Sequence, residues 1–183
     1  AGDGNPINLL GKLVSAYNPD GTFGPAGSFN VTLYSTLAWS LVYGEVPNKT
    51  LAALKYTQRA DGGWNYLGSP TGNTASDIDT TALALQALVA SLPTDRDVWS
   101  NKPLDSNQLD SNQKAVAKAL GFLASNVQPN GGFGTATSQD PNSTALAILA
   151  IRAVGFNPAQ PCWRNASLPS SKGTAYSDPS AWL

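Results

Sequence analysis

Gln58-Arg59-Ala60-Asp61-Gly62-Gly63-Trp64 follows an apolar stretch with helical spacing, Leu51, Leu54 and Tyr56, and the fold turns on how it is read. Gln128-Pro129-Asn130-Gly131-Gly132-Phe133-Gly134 restates it after Val116, Leu120, Phe122 and Leu123. A third version, Asn18-Pro19-Asp20-Gly21-Thr22-Phe23-Gly24, lacks the Gln and follows Leu9, Leu10, Leu13, Val14 and Tyr17. Self-similarity of this kind marks stacked repeats, each too small to bury its own apolar face. Gly-Gly permits a backbone turn that other residues resist, and the ring at Phe23, Trp64 or Phe133 would plug the gap between neighbouring helix pairs.

Beyond each turn lie a polar linker and a second helical stretch. These stretches open with Asn30-Val31-Thr32, Asp79-Thr80-Thr81 and Asn142-Ser143-Thr144, and close at Gly44, Pro93 and Gly155. Gly and Pro are common helix terminators. Asn30, Asp79 and Asn142 are expected as N-caps, because an Asn or Asp oxygen can accept from free amides of the first turn.

The chain therefore divides into helix pairs at about 7–44, 48–92 and 112–155. From Asp20 to Asp61 is 41 residues, and from Asp61 to Asn130 is 69. The surplus falls in a polar, Pro-containing stretch, expected as a surface loop inserted at 93–111. Asp178-Pro179-Ser180-Ala181-Trp182-Leu183 reads as the start of a further repeat, with Pro at the first helical position. With no Met in the chain, we expect a processed or truncated product and read all 183 residues as one partial domain.

The second stretches differ in character from the first. Ala82 to Ala90 is apolar nearly all round, interrupted only by Gln86, and Ala145 to Ala153 is similar with Arg152 as its one charge. Helices of that kind must be covered on most sides, so they are expected inside. The first stretches carry Lys12, Lys55, Lys114 and Lys118 and are expected outside.

Gln58 to Trp64 resembles the repeated Gln-Gly-Trp element of the terpene cyclase and prenyltransferase superfamily, and Gln128 to Phe133 resembles it with Phe for Trp. The resemblance covers roughly residues 7 to 157. It implies an all-α protein whose antiparallel helix pairs form part of an α/α toroid. That toroid hosts cyclases, prenyltransferases, complement-type domains and secreted carriers, so it says little about activity.

One segment bears on chemistry. Asp77-Ile78-Asp79-Thr80-Thr81 resembles the acid motif of class II terpene cyclases. Carried over, Asp79 would be the general acid that protonates an alkene or epoxide, and Asp77 would tune it. Such chemistry needs a protonated carboxyl in a dry cavity walled by aromatic faces. The competing reading is capping: Asp79 aligns with Asn30 and Asn142, and Asn caps a helix but cannot donate such a proton.

Other chemistries lack their residues. Zero His removes the commonest zinc ligand and general base. Cys162-Trp163-Arg164-Asn165 does not supply the Cys and Gln of a thioester, and a lone Cys162 allows no internal disulfide. No spaced carboxylate loop for calcium and no phosphate loop occurs. A pair of inward carboxylates for sugar hydrolysis cannot be nominated beyond Asp77 and Asp79. No cofactor and no metal are expected.

Composition limits the partners. With 11 basic and 12 acidic residues and no cationic run, a nucleic-acid surface is not expected. No apolar run reaches membrane-span length. Charged residues make up only 13%, against a surface rich in Asn, Ser, Thr and Gly, which favours export to the cell surface or exterior. N-x-Ser/Thr triplets start at Asn30, Asn48, Asn142 and Asn165 but arise readily by chance in such a chain. The expected function is a non-enzymatic exported module that binds a small apolar or cofactor-like ligand, or another protein. The alternative is a cyclase-like enzyme using Asp79. A partial ring would leave apolar flanks, so self-association is also expected.

Overall fold

Each apolar stretch marked by the periodicity folds as a helix. The computed structural model describes residues 8–90, 109–135, 138–160, 163 and 179–183. Its helices are α1 (Leu9–Ser15), α2 (Phe29–Tyr43), α3 (Asn48–Thr57), α4 (Ile78–Val89), α5 (Ser111–Asn126), α6 (Pro141–Val154) and α7 (Pro179–Trp182). Among the described residues the strands are two-residue pieces, β1 (Gly134–Thr135) and β2 (Ser138–Gln139), paired antiparallel just before α6. The chain is all-α. Pro93, Asp178, Cys162 and all but the end of the loop expected at 93–111 lie outside the described residues.

The helix ends follow local chemistry. Gly44 and Gly155 close α2 and α6 in the left-handed region, at φ 75° and 100°, where a side chain would be strained. α3 and α5 end differently. Gln58 and Val127 both turn extended at φ −67° and ψ 131°, which carries the chain straight into the Gly-aromatic turns.

Those turns share one hydrogen-bond pattern. The N–H groups of Asn18, Arg59 and Gln128 donate to the carbonyls of Thr22, Gly63 and Gly132 at 2.9–3.0 Å. The N–H groups of Gly21, Gly62 and Gly131 donate back to the carbonyls of Asn18, Arg59 and Gln128. Within each loop a side-chain oxygen of Asp20, Asp61 or Asn130 accepts the N–H two residues on, as such turns favour. At exposed Asp20 the backbone N–H of Thr22, and then its hydroxyl, hold the carboxyl below the ordinary aspartate range. That turn is therefore firmest with Asp20 ionised and loosens as pH falls through the lowered value.

The aromatic residue that ends each turn is then fastened to the next helix. The N–H groups of Phe23, Trp64 and Phe133 donate to the hydroxyls of Thr32, Thr81 and Thr144 at 2.9–3.0 Å. Each Thr is the fourth residue of its helix and is buried. This also accounts for the N-x-Thr triplets at Asn30 and Asn142, whose Thr hydroxyls are structural. Thr50, in the triplet at Asn48, is buried with its hydroxyl donating to the Gly21 carbonyl.

α4 lies at the centre, packed against α2 and α6 with α3 and α5 also in contact. Its Ala82, Ala84, Leu85, Ala87 and Leu88 are fully buried, and Ala147, Ala150 and Ile151 of α6 meet them in the same core. Small Ala faces let these helices approach closely, while each buried Leu contributes about 2 kcal/mol. Lys12, Lys114 and Lys118 are exposed and Lys55 half-buried, with its ammonium donating to Ser111 at the start of α5. Among the described residues no helix is long and apolar enough to cross a membrane.

Candidate functional site

The helix starts meet at one end of the core. There the entry to α4, the start of α6 and the side of α5 enclose an open cleft of about 490 Å³. Asp77, Asp79 and Asp140 line it with Ser76, Ser143, Asn126 and Phe122. A related recess of about 210 Å³ lies one repeat earlier, between Ser28, Phe29 and Thr32 of the α2 entry and Ala53 and Thr57 of α3.

The caps correct the sequence reading. α4 and α6 begin one residue before Asp79 and Asn142, and α2 one before Asn30, so each N-cap lies two residues earlier than expected. Asp77 is the N-cap of α4, accepting the Thr80 N–H at 2.7 Å. Asp140 is the N-cap of α6, accepting the N–H groups of Asn142 and Ser143 at 2.7 and 3.1 Å. Ser28 takes the place in α2 without a side-chain cap bond. The linker backbone decides the register. The Asp77 N–H donates to the Trp64 carbonyl and the Asp140 N–H to the Phe133 carbonyl, both at 2.9 Å, which holds each Asp extended just before its helix.

Asp79 is thereby freed from capping. It sits in the first turn of α4, where a carboxylate complements the helix dipole. Its Oδ2 accepts from the Asn142 amide at 3.2 Å, so the second residues of α4 and α6 meet across the cleft. Asp79 Oδ1 and Asp77 Oδ2 are buried without a hydrogen-bond partner. Asp77→Ala should lower stability by about 1 kcal/mol, and Asp79→Ala should stay within about 0.5 kcal/mol of the parent, measured by urea unfolding. Equal losses would show that both aspartates hold the helix.

The remaining motif residues belong to the frame. Trp64 and Phe133 are fully buried and Phe23 nearly so. The Gln58 amide donates to the Gly62 carbonyl and to the Ala115 carbonyl of α5, both at 2.9 Å, and so ties its turn to the next helix pair. Among the described residues Gln128 donates locally, to the Asn126 carbonyl. In the first turn Asn18 does related work, donating to Thr22 and Gly24.

Two features escaped the sequence reading. Thr32, Thr81 and Thr144 carry the fastening of each turn, and their recurrence in the three aligned triplets was the signal. Asp110 caps α5 in a reciprocal box with Gln113, readable as Asp-x-x-Gln before an apolar run. Among the described residues no group of three or more Cys, Asp or Glu is placed to hold a metal. The chain matches no known protein family, no curated protein and no solved structure.

Proposed function

We propose that the chain is a non-enzymatic, exported α/α-toroid module whose cleft at the starts of α4 and α6 binds a ligand or a segment of a partner protein. The observation that carries this reading is the chemistry of the cleft wall. Asp77, Asp79 and Asp140 line an open space together with Ser76, Ser138 and Ser143, and one buried oxygen each of Asp77 and Asp79 has no hydrogen-bond partner. A wall of carboxylates and serine hydroxyls suits a ligand bearing hydroxyl, amine or amide N–H groups, rather than a bare hydrocarbon. Pocket walls of mixed polar and apolar character between helices are a common location for ligands.

Cyclase chemistry would place different groups here. It needs a closed cavity of aromatic faces around the proton donor. Phe122 is the single aromatic among the described residues that line the cleft with Asp79. Recognition outside the cell also agrees with a surface built from Asn, Ser, Thr and Gly, with charged residues at 13%.

A panel of small polyols and primary amines, followed by amide NMR, tests the reading. Perturbations should gather at Ser76, Asn126 and Ser143, and Asp79→Asn should weaken them without altering the helical signal. A linear triterpene and its epoxide should be recovered unchanged. Cyclised product from the parent protein that disappears in Asp79→Asn would overturn the proposal in favour of the enzyme.

A further inference from the structure

Because Thr32, Thr81 and Thr144 hold equivalent hydrogen bonds, α2, α4 and α6 can be aligned residue by residue. In that alignment Val31, Tyr34 and Ala38 correspond to Thr80, Leu83 and Ala87, and to Ser143, Leu146 and Ala150. This stripe is buried on α4, where Leu83 is 6% exposed, and is buried or half-buried on α6. On α2 it is open: Tyr34 is 57% exposed and Val31 40%, and Leu41 continues the stripe at 88%. The other stripe behaves in reverse. Leu33 and Leu37 of α2 and Ala82 and Gln86 of α4 are buried or half-buried, whereas the matching Leu149 of α6 is 53% exposed with α7 already against that helix.

Each of these helices therefore has one face toward the preceding neighbour and one toward the following neighbour. α2 packs on α4 and α4 on α6, and the burial pattern is the one expected if each contact joins one face of each kind. Among the described residues, Val31, Tyr34 and Leu41 of α2 and Leu149 of α6 leave apolar surface exposed on these faces. α1 adds to the exposed apolar surface, since it buries no residue and exposes Leu9, Leu10 and Val14, unlike its counterparts α3 and α5. We propose that a second copy of this chain docks its α6 face, around Leu149, onto the α2 face around Tyr34, continuing the ladder from one molecule to the next. The joint is head-to-tail, because the two faces differ. It rests on the equivalence of the helix pairs and not on the binding role of the cleft.

Sedimentation velocity on the 183-residue chain tests it. The parent should associate beyond a dimer as its concentration rises. Tyr34→Glu and Leu149→Glu, each placing a charge in the joint, should separately weaken association by more than about tenfold. An equimolar mixture of the two variants should recover dimers and stop there, since each contributes one intact face. A parent that stays monomeric at all concentrations overturns the proposal. So does a mixture that fails to pair, or a Leu149→Glu variant that associates like the parent, the latter pointing to α2 faces meeting each other. Both residues are exposed, so folding should persist. Tyr34→Ser and Leu149→Ser, checked by far-ultraviolet dichroism, replace any charged variant that loses helix.

Discussion

Trp64→Ala is expected to lower the unfolding free energy by about 4 kcal/mol, the largest effect of any single substitution considered. Trp64 is fully buried, in the core shared by α3, α4, α5 and α6. Removing the indole deletes its dispersion contacts and leaves a void that the helices around it can fill only in part. A second loss is specific to the indole. Its N–H donates to the Leu54 carbonyl at 2.9 Å, in the last turn of α3, so that oxygen would lose a buried partner. Trp64→Phe separates the two contributions. The equivalent turns carry Phe23 and Phe133, so Phe suits the turn backbone, and this variant should lose only about 1–2 kcal/mol. Urea unfolding followed by dichroism reads both values. A loss below about 2 kcal/mol for Trp64→Ala would mean that the ring does not hold the helix pairs together. Domains are stable by only about 5–15 kcal/mol, so the Ala variant should be partly unfolded at ambient temperature if the parent lies at the lower end.

Gly62→Ala is expected to lower stability by about 3 kcal/mol, although it adds one methyl group. Two costs combine. Gly62 has φ 89°, a conformation that costs other residues about 1–2 kcal/mol. Its missing Cβ also points at the next helix pair. A methyl built there would fall against the Lys118 carbonyl oxygen of α5 and 2.8 Å from the carbonyl carbon. Backbone in mid-helix cannot swing aside, so α5 would have to move away from the turn. Gly72→Ala is the matched control. It has φ 95°, yet a methyl there would meet nothing within 4 Å, so only the conformational cost of about 1–2 kcal/mol should remain. Equal losses for the two variants would mean that the approach of the turn to α5 contributes nothing. Gly21, also at φ 89°, meets the Lys49 backbone of α3 in the same way. The turn glycine is thus where one helix pair presses on the next.

Much of the fold could be read without coordinates because its signals are local. Leu51, Leu54 and Val116, Leu120, Leu123 fall at helical spacing, and Gly44 and Gly155 stop helices wherever they occur. The nearly all-apolar Ala82 to Val89 stretch could only be a covered helix, and it is the centre of the core. The caps were misplaced for an equally physical reason. Asp77 and Asp79, like Asp140 and Asn142, stand two residues apart, and either member of each pair has the chemistry to cap. Choosing between them needs the linker bond from the Asp77 N–H to the Trp64 carbonyl, a contact across 13 residues of sequence. Thr81 was visible in a recurring triplet, but its partner, the Trp64 N–H, lies 17 residues away.

Residue spacing and turn chemistry were enough to establish an all-helical chain, the glycine stops of α2 and α6, and the buried rings at Phe23, Trp64 and Phe133. These depend on interactions within a few residues, where intrinsic preferences decide the outcome. Tertiary packing assigned the rest: Asp77 and Asp140 as caps, Asp79 to a cleft with Asn142, Gly62 against α5, and an open apolar stripe on α2. Each of those requires two segments distant in sequence to meet. Neither segment alone encodes which side of a helix its neighbour will cover, or which of two suitable oxygens will face an amide.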